Sequence, residues 1–296
     1  MSVNIFQDSG APTLYNEYVK KSTAKTMGST LKYRRYDDFS FLESDVYLEY
    51  RERYLKHCLD NKHLVGVAAN LDVINNAEET YKNQKWFEKR GYNPIPVWHF
   101  GSDESYLKRY IDEGYEYIAM GGLIPNSSSA LIGPLDKIWK NIICDKDGLP
   151  KAKIHGFAMT AFSLMRRYPW YSVDSSSWLK VGAYGKIFVP KKDRTGKWRW
   201  DKTPASFVIS EIGIKKQIHG LNQTPLYQET IFNLIQEHGF PLGKCEYEGD
   251  EVKIIERGMI NDYVWRVKWN IYHMHQFLKT LPQWPWSFFG KTREVL

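Results

Sequence analysis

Cysteine is scarce in this chain of 296 residues: Cys58, Cys144 and Cys245 are scattered and odd in number, with no CxxC pair among them. Neither a disulfide framework nor a cysteine-built zinc site can be read from them, and a reducing compartment is the simpler expectation. The opening MSVNIFQDSG lacks a basic stretch followed by an apolar core, and no apolar run reaches the length a bilayer demands. A soluble protein of the cytoplasm, without membrane partners, is therefore expected. Repeats and low-complexity tracts are missing too, which removes solenoids and compositionally disordered segments from consideration. With 43% hydrophobic residues the chain can bury a large core, and one barrel-sized domain or two smaller ones would fit.

What the sequence has in plenty is positive charge and aromatic surface. Lys and Arg number 41 against 34 Asp and Glu, a formal net charge of +7, and aromatics make up 15% of the chain. Many aromatics stand beside basic residues, as in Lys32-Tyr33-Arg34-Arg35-Tyr36, Arg166-Arg167-Tyr168 and Lys197-Trp198-Arg199-Trp200. Interleaving of this kind suits phosphate contact combined with base stacking, although a solvated basic face has the same composition.

Short apolar runs alternate with longer amphipathic ones. Strands are expected at Val3 to Phe6, Leu64 to Ala69, Ile95 to Phe100, Tyr117 to Met120, Lys153 to Ala158 and Tyr171 to Val173. Helices are expected at Ser44 to Asn61, Glu78 to Arg90, Ser102 to Glu113 and Leu135 to Cys144. Such alternation implies a parallel sheet. Nearly every strand ends in a chemically capable group: Asp8-Ser9-Gly10, Asn70-Leu71-Asp72, His99, Gly121-Gly122-Leu123, His155-Gly156 and Asp174-Ser175. In a (β/α)8 barrel those ends converge on one mouth, where active sites lie. The expected fold is therefore α/β, a TIM-like (β/α)8 barrel that is irregular or incomplete. Residues 1–180 form its main part and carry the site. Residues 181–296 complete or decorate the same domain with a β-hairpin or two over residues 181–212, turning at Asp193-Arg194-Thr195-Gly196, a helix at Pro225 to His238, a strand pair at Lys244 to Glu256 and a helix at Asn261 to Thr280.

The ordered strand ends across residues 5–178 resemble the tRNA-guanine transglycosylase superfamily, and within it the compact phage-type branch that inserts 7-deazaguanines into DNA. Asp8-Ser9-Gly10 matches the family's opening motif, with Ala11 in place of a second glycine. Asp72 falls in the base-contacting slot, His99 stands where Gln is usual, Gly121-Gly122-Leu123 is intact, His155-Gly156 replaces Met-Gly, and Asp174-Ser175 replaces Asp-Cys. In the family's tRNA enzymes two strands precede the Asp-Ser-Gly strand, so the remaining staves are expected from the C-terminal half or not at all. The family's zinc subdomain has no counterpart in three scattered cysteines, so no zinc and no other cofactor is expected.

The resemblance implies that Asp174 is the nucleophile at the sugar C1′ and Asp8 the general acid and base. It also implies base contacts from Asp72, Asn70, His99, Gly121, Gly122, Leu123, His155 and Gly156. Arg166, Arg167, Lys180, Lys197 and Arg199 are the candidate nucleic-acid contacts. The partners would be DNA, with tRNA as the alternative, a free 7-deazaguanine base of the preQ0 kind, and an accessory protein for duplex opening. Plainer roles stand beside these: Asp174 as a cap before Ser175, Asp8 as a turn residue, Asp72 as a helix start, and His99 and His155 as structural histidines. A barrel nucleosidase or glycosidase and a non-catalytic nucleic-acid-binding protein are the rival functions.

Overall fold

Nearly every expected element forms, and helix caps set several of the boundaries. The computed structural model of the chain describes residues 5–11, 13–14, 40–124, 126–211, 225–249 and 251–288. The basic cluster Lys32 to Tyr36 and the first half of the expected Val3 to Phe6 strand lie outside them. The chain divides into two compact units, one of residues 1–159, 168–174 and 284–292, the other of residues 160–167, 175–283 and 293–296.

The first unit is a mixed α/β assembly with strands β1 (Ile5–Gln7), β2 (Val65–Ala68), β3 (Val97–His99), β4 (Tyr117–Gly121), β5 (Lys153–Gly156) and β6 (Ser172–Val173). Its helices are α1 (Asp45–Asp60), α2 (Ala77–Glu88), α3 (Glu104–Asp112) and α4 (Ser128–Ile138), the last running on into a π turn over Trp139–Ile143. Ser44, Asn76, Asp103 and Ser127 each accept a backbone N–H of the first turn, which sets where the four helices begin. β1 pairs with β2 in parallel, and β3 to β6 form a parallel sheet in sequence order. A parallel bridge from Ala69 to Ile95 joins the two pieces, with Ile95 N–H donating to the Ala68 carbonyl at 2.8 Å.

The joined ribbon curls. Laid flat, β1 and β5 would stand roughly 19 Å apart at the usual strand spacing, yet the Phe6 and His155 rings stack with centroids 4.4 Å apart. Phe157 meets both rings edge-on, at 5.9 and 4.8 Å. Small residues make this possible: Ala69 and Ala119 are buried beside Val97, leaving room for the rings on the concave side. On the convex side Tyr54, Leu55 and Cys58 of α1 and Phe87 of α2 pack with Leu71 and Val73 into a separate core.

The second unit holds α5 (Phe162–Arg167), α6 (Ser177–Ala183), β7 (Lys186–Val189), β8 (Lys191–Lys192), β9 (Trp198–Arg199), β10 (Ala205–Val208), α7 (Pro225–Glu237), β11 (Lys244–Glu248), β12 (Glu251–Glu256) and α8 (Tyr263–Leu278). β7 pairs antiparallel with β10, β8 with β9, and β11 with β12. The expected hairpin begins at Lys186 rather than 181, because 177–183 form α6. Ile187, Val189, Phe207 and Ile209 bury one side of the β7–β10 pair against Ile231, Leu234 and Ile235 of α7 and Trp269 of α8. Among the described residues, no helix is long and apolar enough to cross a membrane.

Candidate active site

Because β1 to β6 all run parallel, their C-terminal ends share one edge of the curled ribbon. That edge receives Asp8 after β1, Asp72 after β2, His99 at the end of β3, Gly121 at the end of β4, His155 and Gly156 at the end of β5 and Asp174 after β6. All of these lie in the first unit.

Two polar chains organise the edge. In the first, Ser9 Oγ donates to Asp72 Oδ1 at 2.9 Å, and Asp72 Oδ2 lies 2.9 Å from His99 Nε2, with both the Asp72 and His99 side chains only 10% exposed. His99 reaches this position because residue 121 is glycine: a Cβ there would stand 2.5 Å from His99 Cδ2. In the second, Tyr117 Oη meets Ser172 Oγ at 2.6 Å, and Ser172 Oγ meets His155 Nδ1 at 2.6 Å. The far nitrogen of that buried ring, Nε2, lies 3.5 Å from Asp174 Oδ1, longer than a good hydrogen bond.

Asp174 is not a helix cap. Ser176 occupies the N-cap of α6, whereas Asp174 Oδ1 accepts the Ala158 N–H at 2.8 Å. Ala158 holds the left-handed backbone conformation at φ 53°, unusual for a residue with a Cβ and of the kind that accumulates at functional sites. Partial burial works against ionisation of Asp174, but the His155 ring and the Ala158 N–H outweigh it and hold the carboxyl below the usual carboxylate range. Its side chain nonetheless remains 59% exposed.

Asp8 is biased the other way. Its side chain reaches solvent from a crowded recess, and the resulting desolvation raises its pKa. The Asp72 and Asp174 carboxylates add to that rise, while N–H groups of Gly10 and Ser9 oppose it without reversing it. Asp8 Oδ1 also accepts the Gly10 N–H at 3.3 Å, the hydrogen bond of a turn residue. The charges of Asp72 and Asp174 both bear on Asp8, which puts the three acids in one neighbourhood of the edge.

The remaining expected contacts fare unevenly. Asn70 is fully buried and donates its amide nitrogen to the Thr80 carbonyl at 2.8 Å, tying the β2 end to α2, while its Oδ1 has no partner among the described residues. Asp72 does not start a helix, since Asn76 caps α2, and each of its oxygens already accepts from a protein partner. Gly121 and Gly156 are buried, making room for His99 and for Met159 and Trp170 respectively, and the Leu123 side chain is buried. Gly122 is exposed at φ 74°, and a Cβ there would crowd the Phe100 backbone at 3.0 Å. His155 is buried and acts on Asp174 rather than toward solvent.

The basic candidates belong to the second unit. Arg199 grips Asp201 through Nε and an Nη at 2.8 and 2.6 Å, and Arg166 donates to the Asp201 backbone carbonyl, so both are committed internally. Arg167 is half-buried, while Lys180 and Lys197 are exposed. Sequence reading gave no role to Ser9, Ala158, Ser172 or Tyr117. A Ser beside Asp8 and a Ser in β6 were the only signals, and both are ordinary in loops and strands. Among the described residues, no three His, Cys, Asp or Glu side chains gather into a group able to hold a metal ion.

Comparison of the chain with protein-family models, with curated proteins and with solved structures finds no match.

Proposed function

We propose that this protein exchanges guanine in DNA for a 7-deazaguanine base, as the resemblance to the phage-type branch of the guanine transglycosylases implies, on an irregular or incomplete (β/α)8 barrel. One observation carries the reading. Two carboxylates, Asp8 and Asp174, follow parallel strands at the same edge, the Asp174 charge adds to the rise of Asp8, and the two are pushed to opposite sides of the ordinary Asp range. Paired acids of opposite bias are the signature of an acid and a nucleophile set by environment.

In this mechanism the Asp174 carboxylate attacks C1′ of the target deoxyribose while the C1′–N9 bond breaks, giving a covalent sugar ester. The proton of Asp8 passes to the departing guanine. The incoming deazaguanine then attacks C1′, the ester opens, and the proton it sheds returns to Asp8, so the chain is unchanged. His155 and the Ala158 N–H keep Asp174 ionised for the attack. The Gly122 backbone lines the base slot, and Asp72 has lone pairs left for the base beyond those given to Ser9 and His99. The DNA, with any accessory protein that opens it, would be met in the host cytoplasm, and no cofactor takes part.

Incubation with DNA and a deazaguanine base tests the reading by mass spectrometry of the digested nucleosides. The modified nucleoside should appear together with free guanine, and Asp174→Asn should abolish the covalent adduct while DNA binding persists. No incorporation from any deazaguanine donor would sink the proposal. The openness of Asp174 to solvent favours one second reading, a nucleosidase in which water accepts the sugar. Free base without incorporation would mark that outcome. Incorporation into tRNA instead of DNA would keep the chemistry and change the polymer.

A further inference from the structure

The second unit carries two adjoining clefts whose chemistry is independent of the carboxylate pair. One, of ≈ 480 Å³, is walled by Arg166, Lys191, Lys192, Arg199 and Lys202 over a floor of Phe162 and Phe277. The other, of ≈ 590 Å³, is lined by Pro190, Trp198, Leu226 and Tyr227. Each falls in the volume range of small-ligand sites. Lys191 and Lys192 of β8 line both, so the clefts meet along a single two-residue strand.

Charge is uneven within the first cleft. Asp201 is gripped by Arg199 and contacted by Arg166, which neutralises part of the wall and fixes both guanidinium groups in place. Asp193 spends its carboxylate on the N–H groups of Thr195 and Lys197 in the hairpin turn. Lys191, Lys192 and Lys202 have no carboxylate partner among the described residues. Lys191 and Lys192 are exposed, and Lys192 Nζ stands 4.6 Å from the centre of the Trp198 ring. The second cleft adds apolar surface, with Tyr227 40% and Leu226 75% exposed.

We infer that β8 and its flanking clefts form a track for one nucleic-acid strand, with a phosphate on Lys191 and Lys202 in the cationic cleft and the neighbouring base against Tyr227 and Trp198. Cations that follow a backbone next to an aromatic face are the combination that holds single strands without reading sequence. A duplex keeps its bases stacked and offers Tyr227 no ring face. An acidic peptide would use the lysines but not the aromatic cleft. The inference shares with the proposed function the nucleic-acid polymer, and it does not depend on base exchange.

Fluorescence anisotropy of the full-length protein with a labelled oligo-dT about 12 nucleotides long, within the span such grooves cover, tests it. Tighter binding of the strand than of a duplex of equal length is expected. Tyr227→Ala should weaken strand binding about tenfold. Lys191→Ala with Lys202→Ala should flatten the salt dependence by roughly 0.7 in log–log slope per lysine. These side chains sit at the surface, and circular dichroism confirms that the variants fold. Three outcomes overturn the inference: equal affinity for strand and duplex, unchanged binding in both variants, or a free nucleoside monophosphate or poly-glutamate competing as well as the strand. Strand binding lost in these variants while nucleoside exchange fails everywhere would remove the proposed function and leave the track. Exchange with no strand binding here would do the reverse.

Discussion

Asp8 and Asp174 show how one residue type is biased in two opposite directions by its surroundings. Burial and two neighbouring carboxylates push Asp8 up, whereas His155 and the Ala158 N–H outweigh burial and pull Asp174 down. In the proposed exchange Asp174 would act ionised, so activity would rise with pH through its lowered pKa; Asp8 would act protonated, so activity would fall with pH through its raised one. The exchange rate is therefore expected to trace a bell whose limbs bracket the ordinary Asp value. His155→Gln should move only the acid limb, to higher pH, which a pH–rate profile reads directly and a merely structural loss would not produce. His273 makes the complementary case in the second unit. It is fully buried among the Phe162, Phe188 and Trp200 rings, neither ring nitrogen has a partner, and burial lowers its pKa from 6.5 to about 4. The unfolded chain takes up that proton first, so stability is whole above about pH 6.5 and declines as pH falls toward 4, by about 3 kcal/mol. His273→Leu should flatten that part of the stability curve in urea titrations at successive pH values.

At the scale of elements, the strand ends matter more than the strands. β3 and β4 are short, yet their register sets His99 beside Gly121, and only a residue without Cβ admits the ring. Gly121→Ala puts a methyl 2.5 Å from His99 Cδ2, so the ring must move and the Asp72–His99 contact must break. Overpacking of this kind costs about 1–3 kcal/mol. A lower urea midpoint together with reduced exchange is the expected result, and an unchanged midpoint would show that the ring shifts freely. The helices were legible because each carries its own start signal, as at Ser44 and Asn76, followed by apolar residues at helical spacing. The hairpin elements were legible from the Asp193 to Gly196 turn, where Asp193 accepts three hydrogen bonds within the turn. Position alone did not reveal the partners of Asn70, whose buried amide nitrogen donates to the Thr80 carbonyl ten residues on.

For the molecule as a whole, chain order and compact units do not coincide. Residues 284–288 return to the first unit after more than a hundred residues spent in the second. There Trp284 Nε1 donates to the Pro169 carbonyl at 3.1 Å and the Trp284 ring meets Tyr171 edge-on at 5.1 Å, while Phe288 stacks on Tyr168 at 5.5 Å. A chain ending at Gln283 should therefore lose about 2 kcal/mol from the first unit. Its melting should fall relative to the full chain, with the loss recovered in part by a peptide carrying the missing residues. Equal melting of both chains would show that the returning segment contributes nothing.

Local preference and chemistry were the sequence's to determine. Where strands and helices begin, that the strands run parallel, which acids sit at their ends, and how much positive charge surrounds the hairpin all follow from neighbours a few residues apart. The curl that stacks Phe6 on His155, the Ser9–Asp72–His99 and Tyr117–Ser172–His155 chains, and the opposite bias of Asp8 and Asp174 were decided only by the tertiary structure. The physical reason is range. Backbone preference and capping act within a turn or two of chain, whereas desolvation and the field of one carboxylate on another depend on which distant residues the fold brings within a few ångströms.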